Sequence, residues 1–335
     1  MSEEVLLIGN GINNVTNKIT WKNLMKGLVD NFAPAERRES LKSDIDNDKK
    51  PLPILYEEIL FSSFKEQENN IIRKKDSKNT IIKLETKMKN FIKEKINNIE
   101  KEIKGKNGKD NIHGMISELV LDKDKKINNI LTTNYDKILD EAVGLSEFKN
   151  KGIIKEKSHN LFRNYEYNYN SRIIKFWHIH GIATDKSVDS ICLGYDRYGR
   201  YIQKVMNYIF KKIDNRYVPL NCRLKDRGYN SLDKIISWVD FFFANYIIYI
   251  IGLSLDLQEM HLWWLLTYRK RRHLQNRISK ENKVYYFCSS EDRYDVKLNL
   301  LENFGVDLVK IDEPYDDSKY YKEIIRRIKE NKIYG

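Results

Sequence analysis

The sequence predicts an α/β fold: a Rossmann-like, mostly parallel sheet with helices on both faces and a helical insertion. Three observations carry this reading. Short apolar runs rich in β-branched and aromatic residues alternate with stretches of helical periodicity along the whole chain. The runs at 5–8 and 246–251 are apolar throughout rather than at every second position, as strands covered on both faces are. Several of them end in small or polar residues, which is where open parallel sheets hold ligands. These ends are Gly9-Asn10-Gly11, Thr133-Asn134, His180-Gly181, Gly252-Leu253-Ser254 and Ser289-Ser290. The chain of 335 residues suits a single domain over 1–335 with helical insertions at about 35–110 and 146–240.

The elements follow in order. Residues 5–8 form a first strand running into a glycine turn. Thr20 caps a helix whose Trp21, Leu24, Met25 and Leu28 recur at helical spacing. Residues 35–50 are polar and loop-like, and Pro51 and Pro53 mark entry into a helix over 54–64. Residues 81–103 are a long amphipathic helix, its stripe running from Leu84 to Ile103 and suited to packing on the core or on another subunit. After a turn over 104–110 come a helix at 113–121, a strand at 127–132 and a helix from Lys137. Residues 144–171 read as irregular, 173–179 as a strand, 185–199 as a loop, 201–213 as a helix and 217–230 as a polar connection. A buried helix is expected over 232–244 and a central strand over 246–251. The remainder alternates: helix 258–272, strand 284–288, helix 292–304, strand 306–311 and helix 320–332.

Composition narrows the class. Hydrophobic residues make up 41% and charged residues 32%, the balance of a globular chain rather than a disordered one. Three scattered cysteines, Cys192, Cys222 and Cys288, exclude a disulfide framework and a four-cysteine zinc ribbon, and fit a reducing cytoplasm. The amino end has acidic residues where a signal peptide needs basic ones. The most apolar stretch, 235–255, is interrupted by Asp240, Asn245 and Gly252 and makes a poor membrane span, so no membrane association is expected. The net charge of +12 is compatible with a nucleic-acid partner. However, the lysines are interleaved with Glu and Asp, and the chain is rich in Lys, Asn and Ile, as an AT-rich genome writes. The same field attracts a polyanionic small molecule such as a dinucleotide.

The strand ends offer several chemistries. Gly9-Asn10-Gly11 lets backbone approach a phosphate at a helix amino end, although Asn14 stands where a full G-x-G-x-x-G needs glycine. A carboxamide at Asn134 can hold a ribose hydroxyl or orient a water, and it equally suits a turn or cap. His180 before Gly181 suits a general base or a structural histidine. His178 and His180 share a face unless the strand ends between them. No third and fourth ligand stand at recognisable metal spacing, Asp136 and Asp185 being guesses, so no metal is expected. Ser254 lacks the nucleophile elbow, because Asp256 replaces its second glycine.

Taken in order, GNGIN at 9–13, TTNYD at 132–136, HIHG at 178–181 and GLSL at 252–255 resemble the sirtuin superfamily over roughly residues 5–311. The likeness is closer to the sirtuin-like NAD hydrolases of bacterial anti-phage defence than to the protein deacylases. It implies cleavage of NAD to nicotinamide and ADP-ribose, with Asn134 and His180 as catalytic residues. It places Gly9, Asn10, Gly11, Asn13, Thr133, Asp136, Gly252, Ser254 and Ser289, with Cys288, around the dinucleotide. It also implies a partner: a second copy of the chain, a second defence protein or a phage-derived trigger. Asn10 and Asn13 replace the usual Ala and Ser, TTNYD replaces the TQNID type, and the Pro-Phe-Arg element is not recognisable. The four-cysteine zinc module of deacylases is absent, which argues against deacylation. The other reading is a non-catalytic nucleotide-binding sensor or scaffold of a defence complex, associated or not with nucleic acid.

Overall fold

The computed structural model describes residues 3–17, 20–68, 74–104, 111–145, 160–184, 188–213, 216–218, 220–227, 235–292 and 296–334. In chain order the elements are β1 (Glu3–Ile8), α1 (Gly11–Asn17), α2 (Trp21–Phe32), α3 (Arg38–Asp46), α4 (Leu52–Glu68), α5 (Lys74–Lys104) and α6 (Ile112–Leu121). They continue with β2 (Ile127–Thr132), α7 (Ile138–Val143), β3 (Tyr165–Tyr169), β4 (Arg172–His178), α8 (Tyr195–Ile209), β5 (Lys212–Ile213), β6 (Arg216–Tyr217) and α9 (Leu220–Arg227). The last are β7 (Tyr246–Ile251), α10 (Met260–Leu274), β8 (Lys283–Ser289), α11 (Val296–Asn303), β9 (Asp307–Ile311) and α12 (Ser318–Glu330).

Seven strands form one sheet in the order β3-β4-β2-β1-β7-β8-β9, and β5 and β6 form a separate small hairpin. Only β3 runs antiparallel to its neighbour in the large sheet. This is the α/β Rossmann-like architecture that the buried strand runs predict. Alternate residues of β1 divide two cores. Val5 and Leu7 pack with Tyr201 of α8, Leu262 and Leu266 of α10 and Leu298 of α11. Leu6 and Ile8 pack with Ile116 of α6, Leu139 of α7 and Ile324 of α12. A third core joins α2, α3, α4 and α5 to one another and to Tyr135, Ala183 and Ile191 beyond the ends of β2 and β4. These helices therefore lie over the carboxyl rim of the sheet. The stripe of α5, Leu84, Met88, Ile92 and Ile96, is consumed in that core and is not a free surface for another subunit.

Four local expectations are corrected. Residues 35–50 are not loop: a 3-10 turn and α3 occupy them, and α3 buries Leu41 and Ile45 one helical turn apart. Residues 195–199 begin α8 rather than continue a loop, with Tyr198 and Tyr201 facing the core. Within 144–171, β3 pairs with the outer side of β4, its tyrosines alternating along an edge strand. In the described part of 232–244 the expected helix is a 3-10 turn at Trp238–Phe242. Asp240 is fully buried there and accepts from Ile236 N, Ser237 N and the Tyr208 hydroxyl, local bonds that compete with helix continuation. The turn expected at 104–110 lies mostly outside the described residues, as does Asp185.

The chain switches sides between β1 and β7, the point at which open α/β sheets form their crevice. There Gly9 N donates to Ile251 O and Gly11 N to Gly252 O, at 3.0 and 2.7 Å. A Cβ at Gly9 would meet Gly252 O and Leu253 Cα at 2.5 Å. Gly9→Ala is expected to lower stability by about 1–3 kcal/mol, because backbone rather than a flexible side chain must move. Gly199→Ala, inside α8 with nothing within 4 Å, is expected to raise it by up to about 1 kcal/mol through helix propensity. Urea midpoints of the two variants would show the opposite signs.

Candidate functional site

A cleft opens beside the ends of β1 and β2. It is lined by Asn10 and Asn13 from the α1 turn, Asn134, Tyr135 and Asp136 after β2, Thr20 and Trp21 from the start of α2, and Ile96 and Ile99 from α5. About 440 Å³ of space lies between these residues, open solvent included. Trp21 stands edge-on to Tyr135 at 5.1 Å, so one wall is aromatic. The opposite wall is polar.

That polar wall is one hydrogen-bonded chain. Asn13 Nδ2 donates to Asp136 Oδ2 at 2.8 Å and to Asn10 Oδ1 at 2.9 Å. Asn13 Oδ1 is thereby left to accept, and His113 Nε2 lies 2.8 Å from it. His113 thus carries its proton on Nε2. Its Nδ1 is buried without a partner among the described residues, consistent with a neutral ring. Asp136 Oδ1 accepts from Ile138 N at 3.1 Å. Burial pushes the Asp136 carboxyl above the usual range, and the bonds from Ile138 and Asn13 oppose that shift.

Asn134 is held from both sides. Its backbone N–H donates to Thr132 Oγ1 at 3.0 Å and its Nδ2 to Gly9 O at 3.3 Å. Its backbone O accepts from His178 Nδ1 at 3.3 Å, while His178 Nε2 meets Asp140 at 2.8 Å. Burial lowers the His178 pKa, but the charge and hydrogen bond of Asp140 outweigh it and leave a net rise. Asn134 Oδ1 is buried and has no partner among the described residues. An orphaned acceptor costs about 1–3 kcal/mol, and a ligand hydroxyl or water would relieve it.

The other sequence-predicted residues do not line this cleft. The requirement for glycine at 9 and 11 comes from the Gly252 backbone and the Tyr321 hydroxyl. Thr133 N bonds Ile8 O and ties β2 to β1. Ser254 is exposed, its carbonyl accepting from Lys297 Nζ at 2.9 Å. Ser289 is buried and caps the turn at Glu291, and Cys288 is buried beside it. His178 and His180 part company because β4 ends between them: His178 joins Asp140, and His180 lies beside Tyr135, ring centroids 6.5 Å apart, outside the lining of the cleft. His180 Nε2 is 3.0 Å from His261 Nε2 and 3.2 Å from Glu259 Oε2. Sequence reading passed over His113, Glu259 and His261. The latter two stand at the start of α10, directly after a glycine-ended strand loop, and that position was the available signal.

Residues 128–309 match the family model of the SIR2-like domain. The chain belongs to the SIR2-like family. Domains of this family are often NAD-dependent enzymes. No curated protein matches the chain. The family match runs from β2 to β9, whereas six of the nine residues lining the cleft, Asn10, Asn13, Thr20, Trp21, Ile96 and Ile99, precede it.

His113 gives the network a pH signature. Burial pushes its imidazole down from 6.5 to about 4. Between those values the unfolded chain binds a proton that the folded chain does not, so this contribution is complete above pH 6.5 and is lost as pH falls toward 4. The loss through this group is expected to reach roughly 3 kcal/mol. His113→Gln keeps a donor for Asn13 and removes the titration, so urea midpoints measured from pH 4 to 7 should flatten in the variant.

Proposed function

We propose that the chain cleaves the nicotinamide–ribose bond of NAD, releasing nicotinamide and ADP-ribose. The observation that carries this reading is the unpartnered Oδ1 of Asn134, held at the rim of the cleft by Gly9, Thr132 and His178. Membership of the SIR2-like family supports NAD as the substrate. In this reading Asn134 Oδ1 accepts from the nicotinamide ribose or from the attacking water. Asn10 and Gly11 lie along the pyrophosphate, and Asp136 stands beside the nicotinamide amide. Trp21 and Tyr135 bound the planar ring. The net charge of +12 favours approach of a polyanion.

The sparse equipment suits the reaction. Nicotinamide departs as a neutral ring, so no acid need protonate it. The site has to stabilise an oxocarbenium-like state, hold one water and exclude other nucleophiles. The resemblance assigns the proton acceptor to His180, which has Glu259 3.2 Å away to balance an imidazolium but does not line the cleft. The cellular role we propose is depletion of NAD during phage infection, on the strength of the ordered motifs that resemble defence NAD hydrolases.

One observation favours a second reading, a nucleotide-binding module without turnover: His180 does not line the cleft that holds Asn134. Chromatographic analysis of purified protein incubated with NAD separates the two. Nicotinamide and ADP-ribose are expected from the wild-type chain, with kcat about 10²–10³ lower in Asn134→Ala and KM little changed. NAD binding without nicotinamide release, alone or with lysate from phage-infected cells, would establish the second reading instead.

A further inference from the structure

We propose that His180, His261 and Glu259 form a binding site for a divalent transition-metal ion of zinc's size. The three side chains come from two elements, the loop after β4 and the start of α10. Their donor atoms converge: His180 Nε2 to His261 Nε2 is 3.0 Å, His180 Nε2 to Glu259 Oε2 is 3.2 Å and His261 Nε2 to Glu259 Oε2 is 3.9 Å. An ion about 2.0–2.1 Å from nitrogen and oxygen ligands sets their mutual separation at roughly 2.9 Å in octahedral and 3.3 Å in tetrahedral geometry. The two shorter separations lie within about 0.3 Å of the tetrahedral value, and the His261–Glu259 distance has to close by about 0.6 Å to reach it.

The chemistry of the three atoms points the same way. Two imidazole nitrogens and a carboxylate oxygen are the intermediate-to-hard donors that zinc and its neighbours take. His261 is fully buried and His180 nearly so. Glu259 brings the negative charge and is the most accessible of the three, which provides an entry path. His180 and His261 share a hydrogen bond, whereas Glu259 Oε2 is buried with no hydrogen bond among the described residues and only the 3.2 Å contact to His180, so the carboxylate is the member an ion would satisfy.

The surroundings hold the rings in place. Tyr198 packs on His180 at 5.6 Å, Tyr201 on His261 at 4.9 Å and Trp238 on His261 at 6.3 Å. Tyr201 is itself fixed by donating to Ile179 O at 2.7 Å. The Glu259 backbone is fixed by its bond to Asp256 O at 2.8 Å. A dry aromatic shell of this kind limits side-chain freedom around a metal and restricts water. Three protein ligands leave a tetrahedral ion one position for water or substrate. The site does not depend on NAD. Its one link to the proposed reaction is that His180 Nε2 serves either a proton or the ion, so metal-loaded protein has no free lone pair there.

The test is titration of the purified, chelator-treated chain with Zn²⁺ by calorimetry and with Co²⁺ by visible absorption. One equivalent of each metal is expected to bind the wild-type chain, with cobalt showing ligand-field bands. Glu259→Gln, which preserves shape, and His261→Ala are each expected to weaken binding by roughly a hundredfold or more. His273→Ala, at the far end of α10, is expected to leave it unchanged. Circular dichroism confirms that each variant is folded. Absence of stoichiometric binding, or equal affinity in wild type and a folded Glu259→Gln, overturns the proposal. Because the readout is metal binding, either result stands apart from whether the chain cleaves NAD.

Discussion

The approach of the β1 end to the β7 end, glycine backbone against glycine backbone, is the constraint from which the site follows. Two strands adjacent in the sheet send their chains in opposite directions at that point. Side chains at Gly9 or Gly11 would push the two turns apart. Because they meet, α1 starts immediately beyond β1, and its first turn presents Asn10 and Asn13 to the loop after β2. The network from His113 through Asn13 to Asp136 then locks that loop, and Asn134 with it. A change at Gly9 is therefore felt at Asn134 through one shared hydrogen bond as well as through the sheet.

Much of the framework was legible in the residues. The strands at 127–132 and 246–251 match their predicted limits: Tyr246–Ile251 is wholly β-branched and aromatic, and Ile127–Thr132 is an Ile- and Thr-bounded run that ends in the Thr133-Asn134 turn. The Thr20 cap was legible for the same local reason, and its hydroxyl accepts from Asn23 N. The elements missed were those whose identity depends on a distant partner. β3 is a tyrosine-rich edge whose register comes from β4, and α3 is a polar helix that buries only two residues. The turn at 238–242 looks helical by composition and is diverted by one buried aspartate.

The candidate site was legible in part and for a definite reason. Strand-end position identifies residues that can reach the rim, and it found Asn10, Asn13, Asn134 and Asp136, which do meet. It cannot say which of those residues line the cleft. His180 and Asn134 both follow strand ends, yet only Asn134 lines the cleft, and His180 packs against groups from α8 and α10. Glu259 and His261 belong to that same packing and carry no spacing signature of their own in the sequence.

The strand order has a consequence for how the protein is made. The central strand β1 pairs along its whole length with β7, Glu3 opposite Tyr246, about 240 residues later in the chain. At ribosomal speeds of roughly 5–20 residues per second, β1 waits on the order of 10–50 s for its partner to be synthesised. Through that interval Val5, Leu6, Leu7 and Ile8 lack half of their sheet. The nascent chain thus carries an apolar, unpaired strand edge for most of its elongation, the species that holdase chaperones bind and that aggregates at high expression.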